Sequence, residues 1–256
     1  MVTEARKLVN GLSATDEPGG LGSFALVEPV VSVVIPTLNE EDGIVSALSE
    51  LPVARLKETG FASEVVVVDG NSSDGTVERA ERFGARVVVE RRLGYGLAYK
   101  TGFGVSRGEF LVALDGDYSY PASVVPRLVE IMIERDLDFV TTNRLAGLRP
   151  EAMDPLHRLG NWFLSVAVRL LFSVRISDSQ SGMWVIRKSA LRKILPKSDG
   201  MAFSQEIKIR AFKSCKCLEV PIQYRKRIGN AKTQVVFDGF KNILHLLKLK
   251  FYIDFA

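Results

Sequence analysis

Residues 109–121 read EFLVALDGDYSYP, an apolar run that leads at once into two carboxylates one residue apart, Asp115 and Asp117. A strand that merely reached the surface could end on any polar residue. Side chains two apart on an extended chain share a face, so D-x-D aims two acids at one point in space. That is costly unless something positive lies between them. Similar β-branched runs stand at VVSVVIP (30–36), EVVVVDG (64–70), ARVVVE (85–90) and LDFVTTN (137–143), separated by segments of helical spacing such as EEDGIVSALSEL and PASVVPRLVEIMIERD. Continuous apolar strands alternating with helices predict an α/β fold, a mostly parallel central sheet covered on both faces.

In such sheets ligands bind beyond the carboxyl ends of the strands. The unusual residues fall there: the runs lead into PTLNEED, DGNSSDGT, DGDYSYP and NR, so Pro36, Asn39, Glu40, Asp69, Asp74, Asp115, Asp117 and Arg144 are expected on one rim. Some of these have a plainer reading. Ser73 or Asp74 reads as a helix N-cap and Pro121 as a first-turn proline. Capping does not account for Asp115 and Asp117, which precede the cap.

Composition narrows the partners. The chain has 256 residues, 46% hydrophobic and 25% charged, enough to bury one large core. With 34 basic against 30 acidic residues the net charge is +4. That is a mild preference for anions, far from a nucleic-acid binder, while phosphorylated small molecules or an anionic membrane surface fit. Cys215 and Cys217 lack metal-ligand partners and read as reduced thiols of a cytoplasmic protein. No stretch reaches the roughly 18 apolar residues of a membrane span, and the start lacks a signal peptide's apolar core. Residues 1–28, with SATDEPGGLGS, read as a flexible arm. Residues 29–235 read as the main domain, and 236–256 as an amphipathic C-terminal helix.

Several ligand classes could use such a rim. A dinucleotide fingerprint would place G-x-G-x-x-G after the first strand, where PTLNEE stands, and GYGLAY (94–99) has Tyr99 in the third glycine position. A G-x-x-x-x-G-K-[ST] phosphate loop is absent. Two acids followed by arginines suit a divalent cation bridging a diphosphate, since magnesium takes one or two carboxylates plus phosphate oxygens.

Taken together, VVIPTLNEEDGI, EVVVVDGNSSDGT, GYGLAYKTG and LDGDYSYP resemble, in order and spacing, a family 2 glycosyltransferase with the nucleotide-sugar-binding A-type (GT-A, Rossmann-like) fold. The later segments TTNRLAG, HRLGNWFLSVAVRLLFSVRISDSQSGMWVIRKSAL and MAFSQEIKIRAFKSCKCLEVPIQYRKRIGNAK resemble its polyprenyl-phosphate branch, the dolichyl-phosphate mannosyltransferase type. The resemblance spans roughly residues 30–235. It implies that Pro36, Leu38, Glu40 and Asp69 line the nucleotide pocket and that Asp115 and Asp117, around Gly116, bind Mg2+ or Mn2+ with the diphosphate. It also implies that Arg144 and Arg158 hold the acceptor phosphate, and that Arg227 stands near the phosphates, with Arg225 as its rival. Two positions depart from the pattern: Ser119 stands where a glutamine helps the metal, and Trp162 where a small hydroxyl residue helps hold the acceptor phosphate.

The chemistry agrees on general grounds. A bound metal stabilises a leaving diphosphate. An alcohol acceptor needs a general base, whereas a phosphate monoester with a second pKa of about 6 is already anionic at neutral pH and needs only cations to place it. Arg144 and Arg158 flank the loop LAGLRPEAMDPL, and guanidinium groups grip phosphate in a bidentate fashion. Glu206 is the candidate base if the acceptor is an alcohol, and Gln205 is expected to reach the same cleft. His157 and His245 read as structural. In the C-terminal segment Phe237, Phe240, Leu244, Leu247 and Phe251 fall at helical spacing, with Lys241, Lys248 and Lys250 off that stripe. Such a helix packs on the domain, lies in the headgroup layer, or leads into a membrane span. WFLSVAVRLLFSV (162–174) is a second candidate for membrane contact.

The expected function is transfer of a hexose from a UDP- or GDP-sugar to polyprenyl phosphate, with inversion, at the cytoplasmic membrane face. The alternatives are the same fold with a soluble or saccharide acceptor and Glu206 as base, or a silent nucleotide-sugar-binding subunit.

Overall fold

The computed structural model describes residues 30–58, 60–229 and 235–255; the expected N-terminal arm lies outside them. Seven strands form one sheet: β1 (Val31–Thr37), β2 (Ser63–Asp69), β3 (Arg86–Val89), β4 (Phe110–Ala113), β5 (Phe139–Asn143), β6 (Trp184–Arg187) and β7 (Cys217–Pro221), in the order β3-β2-β1-β4-β6-β5-β7. β1 pairs parallel to β2 and β4, β2 to β3, and β5 to β7, while β6 runs antiparallel between β4 and β5. The five expected strands are present; β6 and β7 come from short runs, WVIR and CLEVP, that the sequence reading passed over.

Nine helices among the described residues cover the sheet: α1 (Glu41–Glu50), α2 (Val53–Glu58), α3 (Thr76–Arg82), α4 (Tyr95–Val105), α5 (Val125–Glu134), α6 (Pro155–Phe172), α7 (Lys188–Ile194), α8 (Ala202–Ser214) and α9 (Val235–Phe255). The side chains of β1 alternate between two cores, as the period of two requires. Val31, Val33 and Ile35 meet Ile44 and Leu48 of α1, Leu56 of α2, Ala80 of α3 and Leu128 of α5 on one face. Val34 meets Tyr99 and Phe103 of α4, Leu191 of α7 and Phe203 and Ile207 of α8 on the other. A third cluster lies outside the sheet, where Leu164, Val168 and Phe172 of α6 pack with Leu246 and Leu249 of α9 and Ile209 of α8.

Three parallel strands therefore deliver their following loops to one rim. Thr37 stands in register with Asp69, and the Gly70 amide donates to the Thr37 carbonyl (2.8 Å). Asp74 fastens the first two loops: its carboxylate accepts the Glu41 amide (3.3 Å) and the Thr76 amide (3.1 Å), capping α1 and α3 together.

Candidate active site

β4 is shorter than the apolar run FLVAL that forms it. β4 ends at Ala113, so Asp115 and Asp117 belong to the turn that follows and do not share a strand face. What sets them is the turn itself. Tyr118 adopts a left-handed backbone (φ 65°), unusual for a residue with a side chain. The chain then doubles back so that the Ser119 amide (3.0 Å) and hydroxyl both donate to Asp117 Oδ1. Ser119 thus orients the second aspartate. The turn lies flush against α1 at Gly43, where a Cβ would meet the Gly116 carbonyl oxygen at 2.7 Å and Asp117 Cα at 2.9 Å.

Asp115 is held by two tyrosines one helical turn apart on α4: Tyr95 Oη (3.0 Å) and Tyr99 Oη (3.4 Å) donate to its Oδ1. Behind the carboxylate sits Gly182, just before β6, whose missing side chain makes room for it. Loss of water around Asp115, with Asp117 beside it, pushes its carboxyl up to about 6. A carboxylate pair that resists full ionisation is the environment a divalent cation relieves. Among the described residues no cluster of three or more His, Cys, Asp or Glu side chains could hold a metal without help. The pair fits a cation only as part of a set completed by phosphate oxygens.

The expected rim residues fall into three groups. Glu40, Asp117 and Arg227 meet directly: Arg227 Nη2 stands 3.3 Å from Asp117 Oδ2 and 3.4 Å from Glu40 Oε1, and the Ile228 amide donates to the Asp117 carbonyl. Pro36 lies on β1, and Leu38 lies in the loop after it, with its side chain close to Gly70. Asp69 is buried and accepts from the Thr37 hydroxyl (3.2 Å) and the Ser72 amide (2.8 Å). Arg225 is committed elsewhere: both guanidinium ends bind Glu50 of α1 at 2.7 Å, and its guanidinium carbon lies 4.8 Å from the Tyr118 ring centroid.

The second group is buried. Arg144, just past β5, pairs with Asp178 through Nε (2.7 Å) and Nη2 (2.9 Å). Gln205 of α8 is fully buried, and neither its oxygen nor its nitrogen has a hydrogen-bond partner among the described residues. An orphaned buried amide of this kind is expensive unless a ligand satisfies it. Glu206 next to it is the opposite case. Its carboxylate accepts the amides of Lys197 and Ser198 (both 3.0 Å) and Arg210 Nε (2.8 Å). Despite its burial, these partners and His245 hold it down at about 2, so it is a poor proton acceptor. Those bonds tie α8 to the loop before it.

The third group is a surface. Arg158 is exposed in the first turn of α6, with Leu156 (55% exposed), Leu159 (60%), Trp162 (53%), Phe163 (55%) and, two turns on, Leu170 (77%) along the same helix. On α9, Leu247 (52%) and Phe251 (69%) are exposed as well. Among the described residues no helix is long and apolar enough to cross a membrane. Both cysteines are free, and burial pushes their thiols up, consistent with inert packing.

Sequence reasoning missed Tyr95, Gly182 and Asp178. The i, i+4 spacing of Tyr95 and Tyr99 in GYGLAYKTG was a usable signal for the first. Nothing in SDSQSGM marked the other two, because their partners are more than 30 residues away in sequence.

A carboxylate pair at the strand ends, a glutamate and an arginine closing on it, and a parallel half-sheet before it are the parts of an A-type glycosyltransferase fold. The model of glycosyl transferase family 2 matches residues 32–195, and the chain belongs to that family. Among its curated relatives is a low-salt glycan biosynthesis hexosyltransferase of Haloferax volcanii, 35% identical over 93% of this chain and 59% of the relative's length. A dolichyl-phosphate hexose transferase of the same organism is 32% identical over 79% of this chain and 86% of its own. The chain thus spans well under two thirds of the first relative. Among solved structures, glucosyl-3-phosphoglycerate synthase from Mycobacterium tuberculosis, in complex with Mn2+, UDP and glucosyl-3-phosphoglycerate, superimposes with a TM-score of 0.70 at 24% identity, covering 86% of this chain and 79% of that one. At that identity the likeness speaks to the fold.

Proposed function

We propose that this protein transfers a hexose from a UDP- or GDP-sugar to a polyprenyl (dolichyl-type) phosphate, with inversion, while resting on the cytoplasmic face of a membrane. The observation that carries the reading is the exposed apolar face of α6. Arg158 stands at its edge, one helical turn before Trp162, so a cation suited to a phosphate borders a surface suited to acyl chains. A soluble acceptor gives no reason to keep those side chains in water. The state of Glu206 supports the same acceptor class: a phosphate monoester arrives already ionised and needs no base.

In this reading Asp115 and Asp117 hold Mg2+ or Mn2+, whose contribution is to neutralise the departing diphosphate. The chain's own residues do the rest. Tyr95 and Tyr99 fix the Asp115 carboxylate, Ser119 fixes Asp117, and Arg227 adds a positive charge beside Asp117. Pro36, Leu38, Glu40 and Asp69 line the nucleotide, Gly116 allows the close turn, and Gln205 offers its unpaired amide to the donor sugar. Arg144 and Arg158 place the acceptor phosphate for a single displacement, which inverts the anomeric centre.

The test incubates purified protein with Mg2+ or Mn2+, a short polyprenyl phosphate in detergent and a panel of UDP- and GDP-sugars, following glycolipid and free nucleoside diphosphate together. Glycolipid from one donor, abolished by Asp117→Ala, is the expected result. Nucleoside diphosphate released without glycolipid would sink the lipid acceptor, and donor binding without turnover would sink catalysis.

A further inference from the structure

Arg144 does not stand alone, and its surroundings assign a role to residues outside the rim. Asp178 accepts three hydrogen bonds from Arg144: from Nε (2.7 Å), Nη2 (2.9 Å) and the backbone amide (2.9 Å). The two side chains are 8% and 0% exposed. Among the described residues Nη1 takes no hydrogen bond, so the side-on grip leaves one nitrogen of the guanidinium to spare. Asp178 is fixed in turn. Glu219 of β7 accepts the amides of Ser177 (3.0 Å) and Asp178 (2.8 Å), and Asp178 Oδ1 accepts the Gln180 amide (3.1 Å).

The same short segment reaches both sides of the site. Four residues after Asp178, Gly182 packs against the Asp115 carboxylate, and its amide donates to Tyr120 Oη (2.5 Å). The Ser179 amide donates to Ser165 Oγ of α6 (3.0 Å), the helix that carries Arg158. Residues 178–182 thus touch the arginine at the end of β5, the first aspartate of D-x-D and the exposed helix.

We propose that Asp178 is the positioning residue for Arg144, with Glu219 as its anchor: together they fix the guanidinium relative to Asp115 and leave Nη1 for the acceptor phosphate. The inference rests on the reading of Arg144 as a phosphate ligand. A long flexible arginine near two acids would otherwise turn toward them, and the field of Arg144 already reaches Asp115. An arginine drawn onto Asp115 would compete with the cation and abandon the acceptor. The bidentate pair prevents this by occupying one edge of the guanidinium permanently. Preset geometry matters because a displacement of about 1 Å at a reacting centre can cost on the order of a hundredfold in rate.

The test compares wild type with Asp178→Asn, Asp178→Glu and Glu219→Gln. Buried Lys208 also faces Asp178, so Asp178→Asn leaves two cations less well balanced. Glu219→Gln keeps the whole Arg144–Asp178 pair and loosens only its anchor. Readouts are kcat, KM for the phosphorylated acceptor, and calorimetric Kd for nucleoside diphosphate with Mn2+. We expect Asp178→Asn to raise the acceptor KM by roughly tenfold or more, Glu219→Gln by about threefold, and Asp178→Glu to fall between, with nucleotide Kd within about twofold of wild type. Equal losses in acceptor and nucleotide binding would reduce Asp178 to a structural residue and overturn the proposal. So would a folded Asp178→Asn with unchanged acceptor KM or, if that variant does not fold, an unchanged KM in Glu219→Gln. A wild type that transfers only to alcohols overturns the underlying reading first, before any variant is made.

Discussion

Replacing Gly182 with alanine adds one methyl group at the back of Asp115. Its Cβ would lie 3.0 Å from Asp115 Cγ and 3.1 Å from Oδ1, and nearer still to Oδ2. That is about 1 Å inside van der Waals contact, so either the carboxylate or the segment carrying residue 182 must move. The segment is pinned by the Gly182 amide on Tyr120 and by Ser181 on Thr142 (2.7 Å), leaving the carboxylate to swing away from Tyr95. Overpacking of this kind costs about 1–3 kcal/mol of stability, and a carboxylate misplaced by about 1 Å costs about a hundredfold in kcat/KM, close to 2.7 kcal/mol. Gly104→Ala on α4 is the matched control, since nothing lies within 4 Å of its Cβ position; a helical glycine replaced by alanine should gain about 0.4–1 kcal/mol. Thermal melting and metal-dependent transfer kinetics would be measured on both. If Gly182→Ala melts like Gly104→Ala and keeps kcat/KM within about threefold of wild type, the packing argument for Asp115 is wrong.

Other substitutions separate roles that the sequence left tangled. Arg225→Ala should lower stability by about 1 kcal/mol through the half-exposed Glu50 pair and leave nucleotide affinity intact, whereas Arg227→Ala should weaken nucleoside diphosphate binding at least tenfold in calorimetry. Glu206, held near 2 against an ordinary 4.5, stabilises the fold when charged; that contribution is full above about pH 5 and disappears as pH falls toward 2. Glu206→Gln should therefore lower stability at pH 7 by up to a few kcal/mol, flatten the acid limb of a pH–melting curve, and leave the pH profile of transfer between 6 and 8 unmoved; a lost limb in that profile would restore Glu206 as a base. Leu159→Glu and Trp162→Glu, at sites already exposed, should release the protein from anionic lipid vesicles in a flotation assay without shifting its melting point, while Phe83→Glu, at the exposed residue just after α3, should not release it.

What the sequence determined by itself was periodic and local. β-branched runs alternating with helical spacing required a mostly parallel sheet, and the polar stretches after VVSVVIP, EVVVVDG and EFLVAL had to gather at its carboxyl edge, because that is where parallel strands put their loops. The acids of D-x-D, the glutamate in PTLNEE and the arginine in YRKRIG were legible for the same reason. The tertiary structure alone decided the pairings between distant residues. It gave Arg225 to Glu50 and Arg227 to Asp117, and it spent Glu206 on backbone amides. It slipped the antiparallel β6 between β4 and β5, bringing Gly182 under Asp115. Spacing along a chain fixes which face a side chain occupies, but which partner waits there depends on the order in which strands join the sheet, and that order is set by the packing of the whole core.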